Sequence, residues 1–158
     1  MTKIIILEDD ATIRHLYRTM FQKAGFDVRA YADAVHLVEK AKDFRPDVVL
    51  TDLLMPKIDG FEAIRLLRAE GSMKNLPIVV ISNLGDYVSQ QKSAYLGATD
   101  FIVKSNFTPA ALTARIRDVV AGKTPKIVVD QKIIQFLQAE ESAHAQHETM
   151  TPEERQYT

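Results

Sequence analysis

Ile4-Ile5-Ile6-Leu7-Glu8-Asp9 is an unbroken apolar run that stops on two carboxylates, and three more runs end the same way on a polar residue. Val48-Val49-Leu50-Thr51 ends on Asp52, Ile78-Val79-Val80-Ile81 on Ser82, and Phe101-Ile102-Val103 on Lys104. Short continuous runs rich in Ile and Val read as parallel strands covered on both faces, because a strand wet on one face would alternate. In such sheets the ligand site lies beyond the carboxyl ends of the strands. Three carboxylates, one hydroxyl and one ammonium are therefore expected at one edge, where a divalent cation and a phosphoryl group complete the charge balance.

Between these runs lie helical patterns. Thr12 to Ala24 carries Ile13, Leu16, Tyr17, Met20 and Phe21 at amphipathic spacing, with Gly25 as its stop. A short strand over Asp27 to Tyr31 and a helix over Ala34 to Phe44, ended by Pro46, follow. After Asp52, Met55-Pro56-Lys57-Ile58-Asp59-Gly60 is a turn into a third helix with Phe61, Ile64 and Leu67 inward and Glu62, Arg65 and Arg68 outward. A fourth helix is expected over Asp86 to Leu96 and a fifth after Thr108-Pro109, with Thr as cap and Pro in the first turn. Five βα repeats predict an α/β fold, a doubly wound five-stranded parallel sheet with flavodoxin-like strand order. Residues 1–122 are expected to form this domain and residues 123–158 a linker and a C-terminal helical extension, with Ile133, Ile134, Phe136, Leu137 and Ala139 near one side of its helix.

The bounds agree. A chain of 158 residues, 46% hydrophobic, supports one sizeable core and an appendage. A net charge of −1 offers no global field for nucleic acid, so no direct nucleic-acid binding is evident. The lack of cysteine excludes disulfides and thiol chemistry. No run approaches the ~20 apolar residues of a membrane span, and a cytoplasmic location without membrane contact is the expectation.

Carboxylates crowded at a strand edge repel one another by a few kcal/mol per pair at ~5 Å, even at an effective dielectric of ~20. Mg²⁺ relieves that repulsion, keeps several waters, and takes one or two carboxylates plus phosphate oxygens. Asp9 and Asp52 are assigned as direct ligands, the main-chain carbonyl of Leu54 as a third, and Glu8 as a ligand through water. Asp52 is then also a nucleophile that forms an acyl phosphate. Lys104 neutralises one phosphoryl oxygen, the Ser82 hydroxyl donates to another, and the Asn83 amide assists.

These residues resemble the receiver domain of bacterial two-component response regulators over about residues 3–121. The resemblance rests on Glu8-Asp9, on Asp52-Leu53-Leu54-Met55-Pro56 with Asp59-Gly60, on Ser82, on Gly97-Ala98, and on Phe101 three residues before Lys104. It implies a signalling switch rather than an enzyme, with self-phosphorylation and autodephosphorylation chemistry, phosphorylated on Asp52 by a phosphohistidine of a partner sensor kinase or phosphotransfer protein. It also implies that Ser82 and Phe101 are paired switch residues, that the Phe101 ring moves inward on phosphorylation, and that the face of the fourth helix, fifth strand and fifth helix then changes shape. Matching the family's spacing from the acidic pair to Arg14 further implies that Asp10 is an exposed neighbour of the metal site and not a ligand. Asp100 and Arg115 resemble a charged pair through which one receiver subfamily dimerises, so a homodimer is among the expected partners.

Two positions depart from the family. Ser105 stands where Pro is usual after the lysine, so a trans Lys104-Ser105 peptide or an altered loop is expected, and Asn83 stands where Ala or Gly is common. His15 and His36 read as ordinary helix residues. Glu140, His144 and His147 have metal-site spacing but equally suit a solvated helix. His147-Glu148-Thr149-Met150-Thr151-Pro152 thinly resembles a sensor-kinase phosphohistidine box, while Thr151-Pro152-Glu153-Glu154 also reads as a helix start with a capping box.

A phosphorelay intermediate is the alternative within signalling. A phosphatase-like hydrolase lacks its second acid, since Leu54 stands where that acid belongs, and a docking-only pseudo-receiver would have lost Asp52, Asp9 or Lys104. Residues 123–158 are short for a DNA-binding effector, so the expectation is a stand-alone receiver with an extension or a piece of a larger protein. The apolar residues of the extension are expected to dock, with a dimer contact favoured because no stretch of the receiver is obviously reserved for them.

Overall fold

The structure is a computed structural model that describes residues 1–155. Five strands, β1 (Lys3–Leu7), β2 (Asp27–Tyr31), β3 (Val48–Thr51), β4 (Ile78–Ser82) and β5 (Asp100–Val103), form one parallel sheet in the order β2-β1-β3-β4-β5. This is the flavodoxin-like order. Alternation along each strand divides the core in two. Ile5, Leu7, Val49, Ile78, Val80 and Phe101 face one layer, and Ile4, Ile6, Val48, Leu50, Val79, Ile81 and Ile102 the other.

Helices α1 (Ala11–Lys23) and α5 (Pro109–Val120) supply Phe21, Leu112, Ile116 and Val119 to the second layer. The first layer takes Leu37, Ala41 and Phe44 from α2 (Leu37–Phe44) and Ala63, Ile64 and Leu67 from α3 (Gly60–Ala69). α4 (Tyr87–Leu96) completes that side. Side chains of Asp10, Asp59, Asp86 and Thr108 each accept a backbone N–H at a helix start, which satisfies donors the helix leaves unpaired.

Two sequence expectations need correction. α2 begins at Leu37 instead of Ala34, because His36 adopts φ 58°, a left-handed conformation that cannot continue a helix; His36 is therefore the residue before the helix, not a member of it. Arg68 is not directed to solvent: its guanidinium donates to the carbonyls of Gly97 at 2.8 and 3.0 Å and Met73 at 2.9 Å. It ties the end of α3 to the α4–β5 turn.

The extension forms α6 (Gln131–Thr149), capped by Asp130, and α7 (Pro152–Arg155), entered through the Thr151–Glu154 capping box at 2.8 and 3.3 Å. α6 lies against α4 of the same chain. Gln91 donates to the Val128 carbonyl at 2.9 Å and accepts from Asp130 N at 2.6 Å, Tyr95 donates to Glu141 at 2.9 Å, and Leu137 is buried. The receiver surface thus does hold a seat for the extension, contrary to the expectation that favoured a second chain. Polar groups of α4 mark that seat, which is why an apolar search of the sequence passes over it. Of the five residues expected near one side, Leu137 is buried and Ile133 and Ile134 half-buried, while Phe136 and Ala139 are exposed.

Candidate functional site: an acidic edge closed by one lysine

The sheet register brings the site together. Leu7 pairs with Thr51, so Glu8 and Asp52 leave adjacent strands side by side, and Ser82 pairs with Val103, so Lys104 emerges one step beyond Ser82. Lys104 Nζ donates to Asp52 Oδ2 at 2.7 Å and Glu8 Oε2 at 3.0 Å. Glu8 is 2% exposed and Asp52 7%. Oxygens of Glu8, Asp9 and Asp52 lie within 4.8 Å of one another, and this is the one grouping of metal-ligating side chains among the described residues. Three carboxylates against one ammonium leave an uncompensated negative excess, which suits a hard divalent cation with oxygen ligands.

Burial pushes the Glu8 carboxyl above its ordinary 4.5, and repulsion from Asp52 adds to the rise, against the pull of Lys104. Burial draws the Lys104 ammonium down, but its bonds to Asp52 and Glu8 outweigh that and hold it above its ordinary value. The lysine is a fixed positive charge at neutral pH.

The backbone is held equally firmly. Arg14, on α1, donates to the carbonyls of Glu8 at 2.9 Å and Asp9 at 3.3 Å, and Thr51 Oγ1 donates to the Asp52 carbonyl at 2.9 Å. Gly60 is packed against the same segment: a Cβ there would stand 2.2 Å from the Asp52 carbonyl oxygen and 2.7 Å from Leu53 Cα. Gly60→Ala is expected to push the Asp52 loop aside and lower stability by about 1–3 kcal/mol, measured by urea unfolding; an unchanged midpoint would show that the loop yields freely. Tyr17, also on α1, has its phenol pushed up by burial and feels the charges of Lys104, Glu8 and Asp52. Apolar periodicity marked Tyr17 only as a core residue, and only the fold shows that its helix passes the acidic edge.

Ser82 is buried at the end of β4, and its Oγ accepts from Leu84 N at 3.0 Å, which leaves its own proton free to donate. Asn83 and Leu54 are exposed in the loops that follow β4 and β3, and Leu54 N donates to Asp52 Oδ1 at 3.3 Å. Asp10 is exposed and caps α1. Phe101 is buried in the layer shared with α2 and α3. The Lys104-Ser105 peptide is trans, and Lys104–Asn106 forms a short 3-10 turn.

Asp100 and Arg115, expected at a dimer face, are paired with each other inside the chain. Asp100 is 3% exposed, and both its oxygens accept from Arg115, at 2.6 and 3.0 Å. A bidentate pair of this kind locks α5 to β5. Glu140, His144 and His147 form no metal cluster among the described residues; His144 pairs with Glu148 at 3.1 Å on an exposed face.

This fold and this acidic edge are those of a signalling receiver. The sequence matches the family described as the response regulator receiver domain over residues 4–117, and the chain belongs to that family. It is 37% identical over 118 residues to the probable transcriptional regulator ycf27 of Porphyridium aerugineum, covering 75% of this chain and 48% of that protein. The chain thus spans about half the length of that relative. Protein PilG of Pseudomonas aeruginosa is 26% identical over 123 residues, which cover 78% of this chain and 90% of PilG. The chemotaxis response regulator CheY4 of Vibrio cholerae superposes with a TM-score of 0.70 at 30% identity, over 75% of this chain and 98% of that one. The chain carries a two-component signal-transduction switch, with a C-terminal helix beyond the receiver domain.

Proposed function

We propose that Asp52 is the phosphoacceptor of this switch and that Glu8, Asp9, Asp52 and the Leu54 carbonyl hold Mg²⁺ beside it. The observation that carries the reading is the Asp52 carboxylate at the end of the central strand, 2.7 Å from Lys104 Nζ, with the oxygens of Glu8 and Asp9 within 4.8 Å. An Asp52 oxygen attacks the phosphorus of a phosphohistidine presented by a sensor kinase or phosphotransfer protein; the P–N bond breaks and an acyl phosphate forms. Bound Mg²⁺ supplies charge neutralisation of the phosphoryl oxygens during in-line transfer. Lys104 turns from the carboxylate to the new phosphoryl group, the Ser82 hydroxyl donates to a second oxygen, and the Asn83 amide lies in the loop that borders it. Water later hydrolyses the acyl phosphate and resets the switch. The same chemistry serves a phosphorelay intermediate, in which the phosphoryl group passes onward to a second histidine.

Incubation with acetyl phosphate, with and without Mg²⁺, tests the proposal: a mass gain of one phosphoryl group that needs Mg²⁺ supports it, and an unmodified chain in Mg²⁺ refutes it. Asp9→Asn is expected to weaken Mg²⁺ binding on the order of tenfold or more, whereas Asp10→Asn has little effect, because only Asp9 belongs to the acidic group. Equal losses in a calorimetric titration would show the register to be wrong. Protonated Glu8 is a poor partner for the metal, and its raised pKa moves that loss upward; affinity should therefore fall as the pH is lowered, beginning at a higher pH than an ordinary glutamate predicts.

A further inference from the structure

α4 buries no apolar side chain fully, Leu96 being half-buried against the first core layer. Its buried side chains are the polar Gln91 and Ser93, whereas α3 buries Ile64 and Leu67 and α5 buries Leu112, Ile116 and Val119. Ser93 spends its hydroxyl on Ser89 O within the helix, and Gln91 spends both ends of its amide on the segment that enters α6. Tyr95 and Arg65 reach Glu141 of α6 at 2.9 and 3.4 Å. The extension thus packs on α4 alongside α3 and β5 and takes up the polar groups that α4 buries on that side.

The other end of α4 begins at the acidic edge. Ser82 Oγ accepts from Leu84 N, Asp86 caps the helix through Ser89 N, and Tyr87, its first residue, donates to Asp130 Oδ2 at 3.3 Å. Asp130 is the cap of α6, its other oxygen accepting from Lys132 N at 2.9 Å. The loop from Ser82 to Tyr87 thus joins the acidic edge to the cap of α6.

We infer that α6 is a clamp on α4 whose hold weakens when Asp52 carries a phosphoryl group, so that release of the extension is an output of the switch and the docked extension opposes phosphorylation. This rests on the acceptor role of Asp52. A phosphoryl group adds acceptor oxygens next to Ser82, and a Ser82 side chain that rotates about Cα–Cβ to donate to them carries its oxygen away from Leu84 N, which now donates to it. The turn that sets the Asp86 cap and the position of Tyr87 then changes, and the bond from Tyr87 to Asp130 is lost. Coupling of this kind is reciprocal: what phosphorylation does to docking, docking does to the equilibrium for phosphorylation.

The test uses the full chain, Mg²⁺ and beryllofluoride, a stable phosphoryl mimic. Amide exchange over residues 131–141, read by mass spectrometry, is expected to be about fivefold faster or more with beryllofluoride, the lower end of allosteric couplings, and unaffected in Asp52→Asn. Leu137→Glu, at the buried contact of α6 with α4, should undock α6 and tighten beryllofluoride binding about fivefold, whereas Phe136→Glu, already exposed, should not. Calorimetric binding of beryllofluoride to the wild-type chain, with exchange in α6 unchanged or slowed, overturns the clamp and leaves the acceptor assignment intact. An unchanged affinity in Leu137→Glu, with α6 shown by exchange to be free, overturns it as well. Failure of beryllofluoride to bind removes the acceptor assignment and the clamp with it.

Discussion

Asp52→Asn is expected to bring acetyl-phosphate labelling down to background while the chain stays folded. The amide is isosteric but carries no nucleophilic lone pair of comparable strength, and Glu8 and Asp9 leave their strand beside Asp52, not at the end of the central one. The fold survives because the change removes one of three crowded carboxylates. Lys104 keeps Glu8 at 3.0 Å as a partner, and the oxygen of the substituted amide still accepts. Mass spectrometry of the variant after labelling is the measurement; label on another residue would mean that a different group is the acceptor.

Lys104→Met is expected to be the most destabilising single change at the site. In the metal-free chain it leaves Glu8 and Asp52, both buried, facing each other without a counter-charge, and loss of one member of such a group costs about 3–5 kcal/mol. The lower end applies, since Glu8, already raised, takes up a proton before it stays charged without a partner. A carboxyl whose folded pKa lies above its unfolded value binds protons more readily in the folded state, so stability falls as pH rises from the unfolded value near 4.5 through the folded one. Lys104→Met raises the folded value further and widens that window. Urea unfolding in a chelator should show the loss growing with pH above 4.5, and Mg²⁺ should return part of it. A variant as stable as the parent at neutral pH would show that water, not Lys104, compensates the carboxylates.

Much of this protein was legible without coordinates. Buried strands must be apolar on both faces, so their runs and the polar residues that end them stand out in Ile4 to Asp9, Val48 to Asp52, Ile78 to Ser82 and Phe101 to Lys104. The parallel order follows from the helices between them, and the convergence of Glu8, Asp9, Asp52, Ser82 and Lys104 follows from the rule that such sheets present their strand ends together. Caps such as Asp10, Asp59, Asp86 and Thr108 act on N–H groups three residues away, and local chemistry of that range is visible in sequence.

What the tertiary structure alone decided are matters of partners far apart in the chain. Asp100 and Arg115 carry charges that look free until β5 and α5 are packed side by side, and then the pair is internal. Gln91 reads as a polar surface residue, yet it is 2% exposed because the extension returns to cover it. Helical periodicity misleads at Arg68 and Tyr17, since a long polar tip can reach sideways to the Gly97 carbonyl or toward the acidic edge while its stem keeps its place on the helix. Periodicity reports which face of an element is covered; which polar group meets which is set by groups 15 to 44 positions apart or more, as Arg115 with Asp100 and Lys3 with Asp47 illustrate, and their pairing exists only once the sheet has closed.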